Sequence, residues 1–286
     1  MQKELEKQLQ TRWMGKKVFY REETESTITW AKEAAKTGSR EELDGALFLA
    51  EAQTGGKGRI GRVWNSPPGQ NIYMNLLLME PEIAPMNAAS LTLVMGLSVA
   101  QAVTEVTGKK AGIKWPNDVV MSGKKICGIL TEMQISGNMP KYITIGVGIN
   151  VNQKEFPEEL QDKATSLMLE TGEILAREEV AAKTLEYFEK NYEKFLKTQD
   201  LSLLKTEYEA LLLNRNQPVR LIEKGTESRG IARGITENGE LLVEFETGEI
   251  RRVLSGEVSV RGLYRDRKST RLNSSHSRAS RMPSSA

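Results

Sequence analysis

"QTGGKGRIGRVWNSPPGQNIYMN", residues 53–75, sets Gly55, Gly56, Gly58 and Gly61 among Lys57, Arg59 and Arg62, then runs into Trp64 and the pair Pro67-Pro68. Residues 56–61 spell G-x-G-x-x-G, and Val63 extends the match to the kinase form G-x-G-x-x-G-x-V. Three nucleotide-binding signatures use such glycines, and each demands its own continuation. A dinucleotide fold needs them to turn from a strand straight into a helix whose N-terminus meets the pyrophosphate, and Pro67-Pro68 stops a helix running on. A P-loop needs Lys and then Ser or Thr where Arg62 and Val63 stand. A protein kinase needs an H-R-D catalytic loop and a D-F-G metal site; neither occurs. Two readings stay open on composition: a cationic loop whose glycines let its backbone approach a ligand closely, or a solvated hairpin tip.

Outward from this stretch, "DGALFLAEAQT" before it and "QNIYMNLLLM" at its end read as strands, as does "GKKVFYREE" further upstream. "TITWAKEAAKTG" has helical spacing and ends at Gly38, a good C-terminal cap. "MNAASLTLVMGLSVAQAVTEVTG" reads as the longest helix, apolar around much of its circumference, ending at Gly108 and buried against a sheet. "AGIKWPNDVVMSGKKICGILTEMQISG" reads as strand, turn, strand with Gly123 at a hairpin, and "KYITIGVGINVN" as a further strand. Two more helices fit "AREEVAAKTLEYFEKNYEKFLKT" and "SLLKTEYEALLL", and a short one fits residues 1–12. From Asn214 onward, short alternating runs are broken by Lys224-Gly225, Asn238-Gly239 and Thr247-Gly248, which predicts five short strands in a small β-barrel with an Asn-Gly type I′ turn.

The chain of 286 residues has room for a large and a small domain. Its net charge of +2 conceals an acidic body, because residues 267–286 carry Arg267, Lys268, Arg271, Arg278 and Arg281 and no acid; without them the balance is −3. An acidic body argues against a nucleic-acid surface. That Ser/Arg-rich tail, counted from residue 265, is expected to be disordered and non-native. His276, the sole histidine, lies in it, so histidine-based catalysis and histidine-ligated metal sites are not expected. Cys127 is the sole cysteine, which excludes an intrachain disulfide and suits a reducing cytoplasm. No run approaches the roughly 18 apolar residues of a membrane span, and "MQKELEKQLQ" has no apolar signal region.

Four further stretches bear on function: "ESTITWAKEAA", "KWPNDVVMSGKKICGILTE" (residues 114–132), "GVGINVN" (residues 146–152) and "TSL" (residues 165–167). In this order and spacing, together with the glycine-rich stretch, they closely resemble bacterial biotin protein ligases. That family runs S-T-N, Q-x-x-G-R/K-G-R-x-G-R-x-W, K-W-P-N-D, K-x-x-G-I-L-x-E and G-x-G-I/L-N, and the resemblance covers about residues 12 to 264. It implies an α+β fold with a mixed or antiparallel sheet and helices, like the catalytic domain of class II synthetases, over residues 21–213. It also implies a small SH3-like C-terminal barrel over residues 214–264. Residues 1–20 resemble the linker that follows a helix-turn-helix domain, so DNA binding is not expected.

The activity implied is ATP-dependent: biotinyl-5′-AMP is formed from biotin and MgATP, and biotin then passes to a lysine of a biotin carboxyl carrier protein. Lipoate ligation on a related fold, and a binding module that holds the adenylate without transferring it, are the rival readings. Some members pair edge strands into a homodimer, and nothing in this sequence decides that.

Position by position, the resemblance places biotin against Ser26, Thr27, Gln53, Lys57, Gly58, Arg59, Lys125 and Gly128. It places ATP against Arg59, Arg62, Trp64, Lys114, Asn117, Asp118 and Asn150, with Mg²⁺ on Asp118. Lys125, Asp118 and Arg59 carry the chemistry. The charges suit it: joining biotin's carboxylate to the α-phosphate brings two anions together, and Lys57, Arg59 and Lys125 screen their repulsion. A carboxylate is already the nucleophile at neutral pH, so no histidine is required. Taken without the resemblance, Ser26 and Thr27 read equally as a helix N-cap, and Asp118 as a turn residue. Two departures stand out. Ile28 replaces the Asn of S-T-N and can only pack, and Lys57 lacks the planar fork of an arginine.

Overall fold

Strands that read as unbroken apolar runs, rather than alternating ones, belong at the centre of a covered sheet. The computed structural model, which describes residues 1–223, 226–255 and 259–261, forms a seven-stranded sheet from β1 (Val18–Thr24), β2 (Ala46–Gln53), β3 (Ile72–Met79), β4 (Gly112–Lys114), β5 (Asp118–Met121), β6 (Lys124–Ser136) and β7 (Met139–Ile149). Their order is β1-β2-β3-β7-β6-β5-β4. Only β1 and β2 run parallel; every other pairing is antiparallel. The run "IYMNLLLM" is β3, buried at all its positions.

Helices α1 (Gln2–Gln8), α2 (Thr27–Thr37), α3 (Arg40–Leu43), α4 (Leu91–Thr107), α5 (Leu167–Thr171), α6 (Arg177–Thr198) and α7 (Lys205–Leu211) pack around this sheet. The apolar α4 lies between α6 and the strands β4, β5 and β6, as its composition predicts. Together with the 3₁₀ turns before it, Pro85–Thr107 is long and apolar enough to cross a membrane, yet 72% of that window is buried inside the protein, the mark of a core helix. It is not the longest helix. Pro85 opens 3₁₀ turns that keep residues 85–90 out of the α-helix, and the 22-residue α6 exceeds the 17 of α4.

Gly108 ends α4 in the left-handed conformation, φ 65°, as expected of a glycine cap. Gly38 ends α2 for a different reason. Its φ is −81°, open to any residue, but a Cβ there would sit 2.3 Å from Leu43 Cδ1. Leu43 belongs to α3, a single turn absent from the sequence reading and held by a reciprocal capping box between Ser39 and Glu42. A third strand, β4, also precedes the β5–β6 hairpin, whose turn carries Gly123 at φ 81°.

The C-terminal unit contains the five strands expected: β8 (Pro218–Glu223), β9 (Thr226–Ile235), β10 (Leu241–Glu244), β11 (Ile250–Val253) and β12 (Ser259–Arg261). They form an antiparallel sheet in the order β11-β10-β9-β8-β12. Among the described residues no pairing of β11 with β12 closes it into a barrel. Asn238-Gly239 turns between β9 and β10, with Gly239 at φ 83°, but the link spans residues 236–240 instead of the two residues of a type I′ hairpin. Lys224-Gly225, His276 and the tail from residue 265 lie outside the described residues. The two units are joined through Trp115, which is 1% exposed and donates its indole N–H to Gly239 O at 2.9 Å.

The segment after α1 is fixed by one carboxylate. Glu189 of α6, 5% exposed, accepts from Arg12 N at 2.7 Å and from Trp13 N and Met14 N at 3.0 Å each. Burial alone pushes its pKa up, but the three backbone N–H groups and the Arg12 guanidinium outweigh that and hold it below the usual glutamate value. A lowered folded-state pKa gives stability that is present above the unfolded value and is lost as pH falls through the folded one. Glu189→Gln keeps one acceptor and loses the charge; we expect it to cost roughly 1–3 kcal/mol in urea denaturation at neutral pH. The gap between variant and parent should shrink as the buffer is taken below the ordinary carboxylate range.

Candidate active site

β2 ends at Gln53, and this one side chain ties three elements together. Its Oε1 accepts from Thr27 N (2.9 Å) and Thr27 Oγ1 (3.1 Å) at the start of α2. Its Nε2 donates to Ser66 Oγ at 2.9 Å, which in turn donates to Trp64 O at 3.0 Å. Between these anchors the glycine-rich stretch folds as a narrow hairpin, with Trp64 N bonded to Gly56 O at 2.8 Å and Gly58 N to Arg62 O at 2.7 Å. A Cβ on Gly56 would lie 2.4 Å from Trp64 O, so glycine there is what lets the two arms close.

The hairpin leans over β6 and β7, where Gly128 stands opposite Gly148 in the register. The Trp64 indole rests on both: a Cβ on Gly148 would be 2.5 Å from Cε2 and Nε1, and one on Gly128 2.7 Å from Cζ3. Gly146, two residues along the same face of β7, is covered by Ile28, whose Cδ1 would be 2.6 Å from a Cβ there. Ile28 therefore packs on the floor of the site. Gly146 and Gly148 were not among the residues nominated from sequence. Glycines at i and i+2 in an apolar strand are the signal that marks them, since they share a face and let another group approach the backbone.

Charge gathers at one end of this floor. Lys125 Nζ is 2.7 Å from Asp118 Oδ1 and 5.1 Å from the centroid of the Trp64 ring, with both members of the ion pair mostly buried. Arg59 donates from Nη1 to Asn117 Oδ1 at 2.8 Å, and its Nη2 meets the Ser255 carbonyl of the C-terminal unit. Burial pulls the Arg59 pKa down while nearby Asp118 offsets it, so the guanidinium stays a cation. Lys57, itself exposed, donates to Thr29 Oγ1 at 2.8 Å. Cys127 is wholly buried and burial pushes its thiol pKa up, which removes it as a nucleophile.

Ser26, Thr27, Gln53, Lys57, Gly58, Arg59, Trp64, Asn117, Lys125 and Gly128, all nominated from sequence, line one cavity of about 50 Å³. Asp118 reaches it through Lys125. Three nominated residues stand apart from the lining: Arg62 is exposed, Lys114 is buried in β4, and Asn150 spends its amide on Thr165 O at 3.1 Å. Buried polar atoms without hydrogen-bond partners are rare in native proteins. Of the four among the described residues, Ser26 Oγ, Trp64 Nε1 and Asp118 Oδ1 belong to this site. No group of three or more His, Cys, Asp or Glu side chains is present among the described residues to form a metal cage. One carboxylate beside an amide instead suits Mg²⁺ held mainly by substrate phosphates and water.

The profile of the Biotin/lipoate A/B protein ligase family matches residues 20–150, and that of the Biotin protein ligase C terminal domain matches residues 216–261. The bifunctional ligase/repressor BirA of Bacillus subtilis is 37% identical over 254 residues, 88% of this chain and 76% of the relative. The biotin ligase of acetyl-CoA carboxylase from Mycobacterium tuberculosis is 31% identical over 214 residues, 73% of this chain and 77% of the relative. The structure of biotin protein ligase from Aquifex aeolicus in complex with biotin and ATP superposes with a TM-score of 0.74 at 35% identity, covering 86% of this chain and 99% of that one. The chain belongs to the biotin protein ligase family.

The seating of Trp64 depends on the missing Cβ atoms. Gly148→Ala should unseat the indole and shift tryptophan emission to the red, and the shift should vanish when Trp64→Phe is added. An unchanged emission spectrum would show that the ring does not rest on β7.

Proposed function

We propose that the chain condenses biotin with ATP to biotinyl-5′-adenylate and passes the biotinyl group to a lysine of a biotin carboxyl carrier protein. The observation that carries this reading is the convergence, on one glycine-floored cavity, of Lys125 and Arg59 with the unpartnered Ser26 Oγ and Trp64 Nε1. Residues 21–213 form the catalytic unit in this account and residues 214–264 the C-terminal one. One buried thiol suits a reducing cytoplasm.

In the first step a biotin carboxylate oxygen attacks the α-phosphorus, the bond to the β-phosphate bridge breaks, and pyrophosphate leaves with the electron pair. Lys125 and Arg59 lower the repulsion between the two anions, in a site whose partial burial strengthens each charge. Ser26 and the Thr27–Gln53 pair offer the hydroxyl, N–H and amide chemistry that a ureido ring requires, with Ile28 and the glycine floor as apolar wall. Asp118, beside Asn117, would hold Mg²⁺, which neutralises phosphate charge when bound. In the second step the acceptor amine attacks the acyl carbon and AMP leaves. Asp118 is then the group placed to orient that amine or take its proton. Arg62, Lys114 and Asn150, nominated for ATP, lie outside the lining of this cavity.

Biotin-dependent exchange of labelled pyrophosphate into ATP tests the reading, and exchange that follows lipoate instead would overturn it. Lys125→Ala should lower the exchange rate by about 10² to 10³; a fall of less than about threefold would remove Lys125 from the chemistry. Gln53→Ala breaks both the link to Thr27 and the link to Ser66. Biotin affinity by calorimetry should drop about tenfold or more, and the melting temperature should fall as well, because buried Thr27 and Ser66 lose their partner.

A further inference from the structure

Between Arg59 and Trp64 the hairpin motif leaves two positions open, and here both are β-branched. Ile60 and Val63 are 78% and 81% exposed. Ile60 also sits in the left-handed region, φ 56° and ψ 46°, where a branched Cβ is crowded. The neighbouring Gly61, at φ 68°, takes that region freely. A merely solvated tip is better served by Asn, Asp or Gly at residue 60. Strained backbone that presents an apolar side chain to solvent at the rim of a site is an outlier of the kind that accompanies function.

Three other side chains of the same hairpin are already engaged: Lys57 with Thr29, Arg59 with Asn117, and Trp64 with the glycine floor. Ile60, Gly61, Arg62 and Val63 are exposed, as is Lys57, and among these the two large apolar side chains are Ile60 and Val63. Arg59, next to Ile60 in the chain, and Trp64, next to Val63, both line the cavity, so the two apolar residues adjoin its lining.

We propose that Ile60 and Val63, with Arg62 beside them, seat the protein acceptor, through an apolar side chain and a carboxylate on its surface. This rests on the ligase reading above. Transfer requires a folded protein to carry its lysine to the adenylate, and this hairpin carries residues that line the cavity. The acceptor nitrogen attacks the acyl carbon, the bond to the phosphate oxygen breaks, AMP departs with the electron pair, and the ammonium proton passes to Asp118 or water. The patch takes no part in these bond changes; it raises the occupancy of the acceptor. An apolar pair contributes contact area and Arg62 contributes sign, which favours an acidic partner.

The test uses the full chain with Ile60→Asn and Val63→Thr together. Asn tolerates the left-handed conformation, and Thr keeps the shape of Val beside Lys57. Three rates are compared with the parent: biotin-dependent pyrophosphate exchange, hydroxamate formation when hydroxylamine captures the adenylate, and biotin transfer to a purified biotin carboxyl carrier domain. The first two should stay within about twofold, while kcat/KM for the carrier domain falls about tenfold, mostly through KM. Arg62→Glu should lower the same constant and make it less sensitive to salt.

Unchanged transfer overturns the proposal. So does a parallel fall in all three rates, which would mean that the pair packs on the small ligands. Transfer unchanged with self-association lost, seen by sedimentation, would assign the patch to a second copy of the chain and overturn it as well. A parent protein without biotin-dependent exchange would instead remove the ligase reading, and this inference with it.

Discussion

Three neighbouring positions on β6 and β7 lack a Cβ, and the whole site is arranged around that. Gly128, Gly146 and Gly148 leave bare backbone where side chains would otherwise stand, so Trp64 and Ile28 lie directly on the strands. The indole then places one face against the sheet and its ring within cation–π reach of Lys125. Gln53 and Ser66 fix the arm that carries Trp64, and Thr27 fixes Gln53, so the start of α2, the end of β2 and the hairpin are positioned as a unit. Adding one methyl group to this floor disturbs all of them, because protein interiors yield little to extra volume.

The charges on that floor are held at a useful compromise. Lys125 and Asp118 neutralise each other at 2.7 Å, yet Asp118 Oδ1 has no aligned hydrogen-bond donor. An ion pair without full hydrogen bonding is only weakly committed to itself. Neither side chain is therefore held by a fully satisfied network. Arg59 is shared in a similar way between Asn117 and a carbonyl of the other unit.

Much of this was legible in the sequence because it depends on local chemistry. Apolar runs marked β2, β3 and β7, helical spacing marked α4 and α6, and the motif positions 26, 27, 53, 57–59, 117, 125 and 128 fell into one cavity. What escaped depends on direction and distance. Asn150 and Lys114 sit within motifs that serve the site, but adjacency in sequence does not set where a side chain points. Asn150 turns to Thr165, and Lys114 is buried in β4. Gly38 is the cap of α2 that its position suggested, but what requires glycine there is room for Leu43, from a helix too short to show periodicity. Ile28 looked like a lost polar contact; only the fold shows that it fills the surface above Gly146.

The bond from Trp115 to Gly239 bears on how separable the two units are. A Cβ on Gly239 would press to 2.9 Å from Leu93 of α4, so the β9–β10 turn is inserted into the catalytic core rather than resting on it. A chain cut near residue 213 would keep every nominated cavity residue, yet it would strand a buried indole donor and uncover α4. The small sheet is thus one wall of the larger domain, and the two should melt in a single cooperative transition.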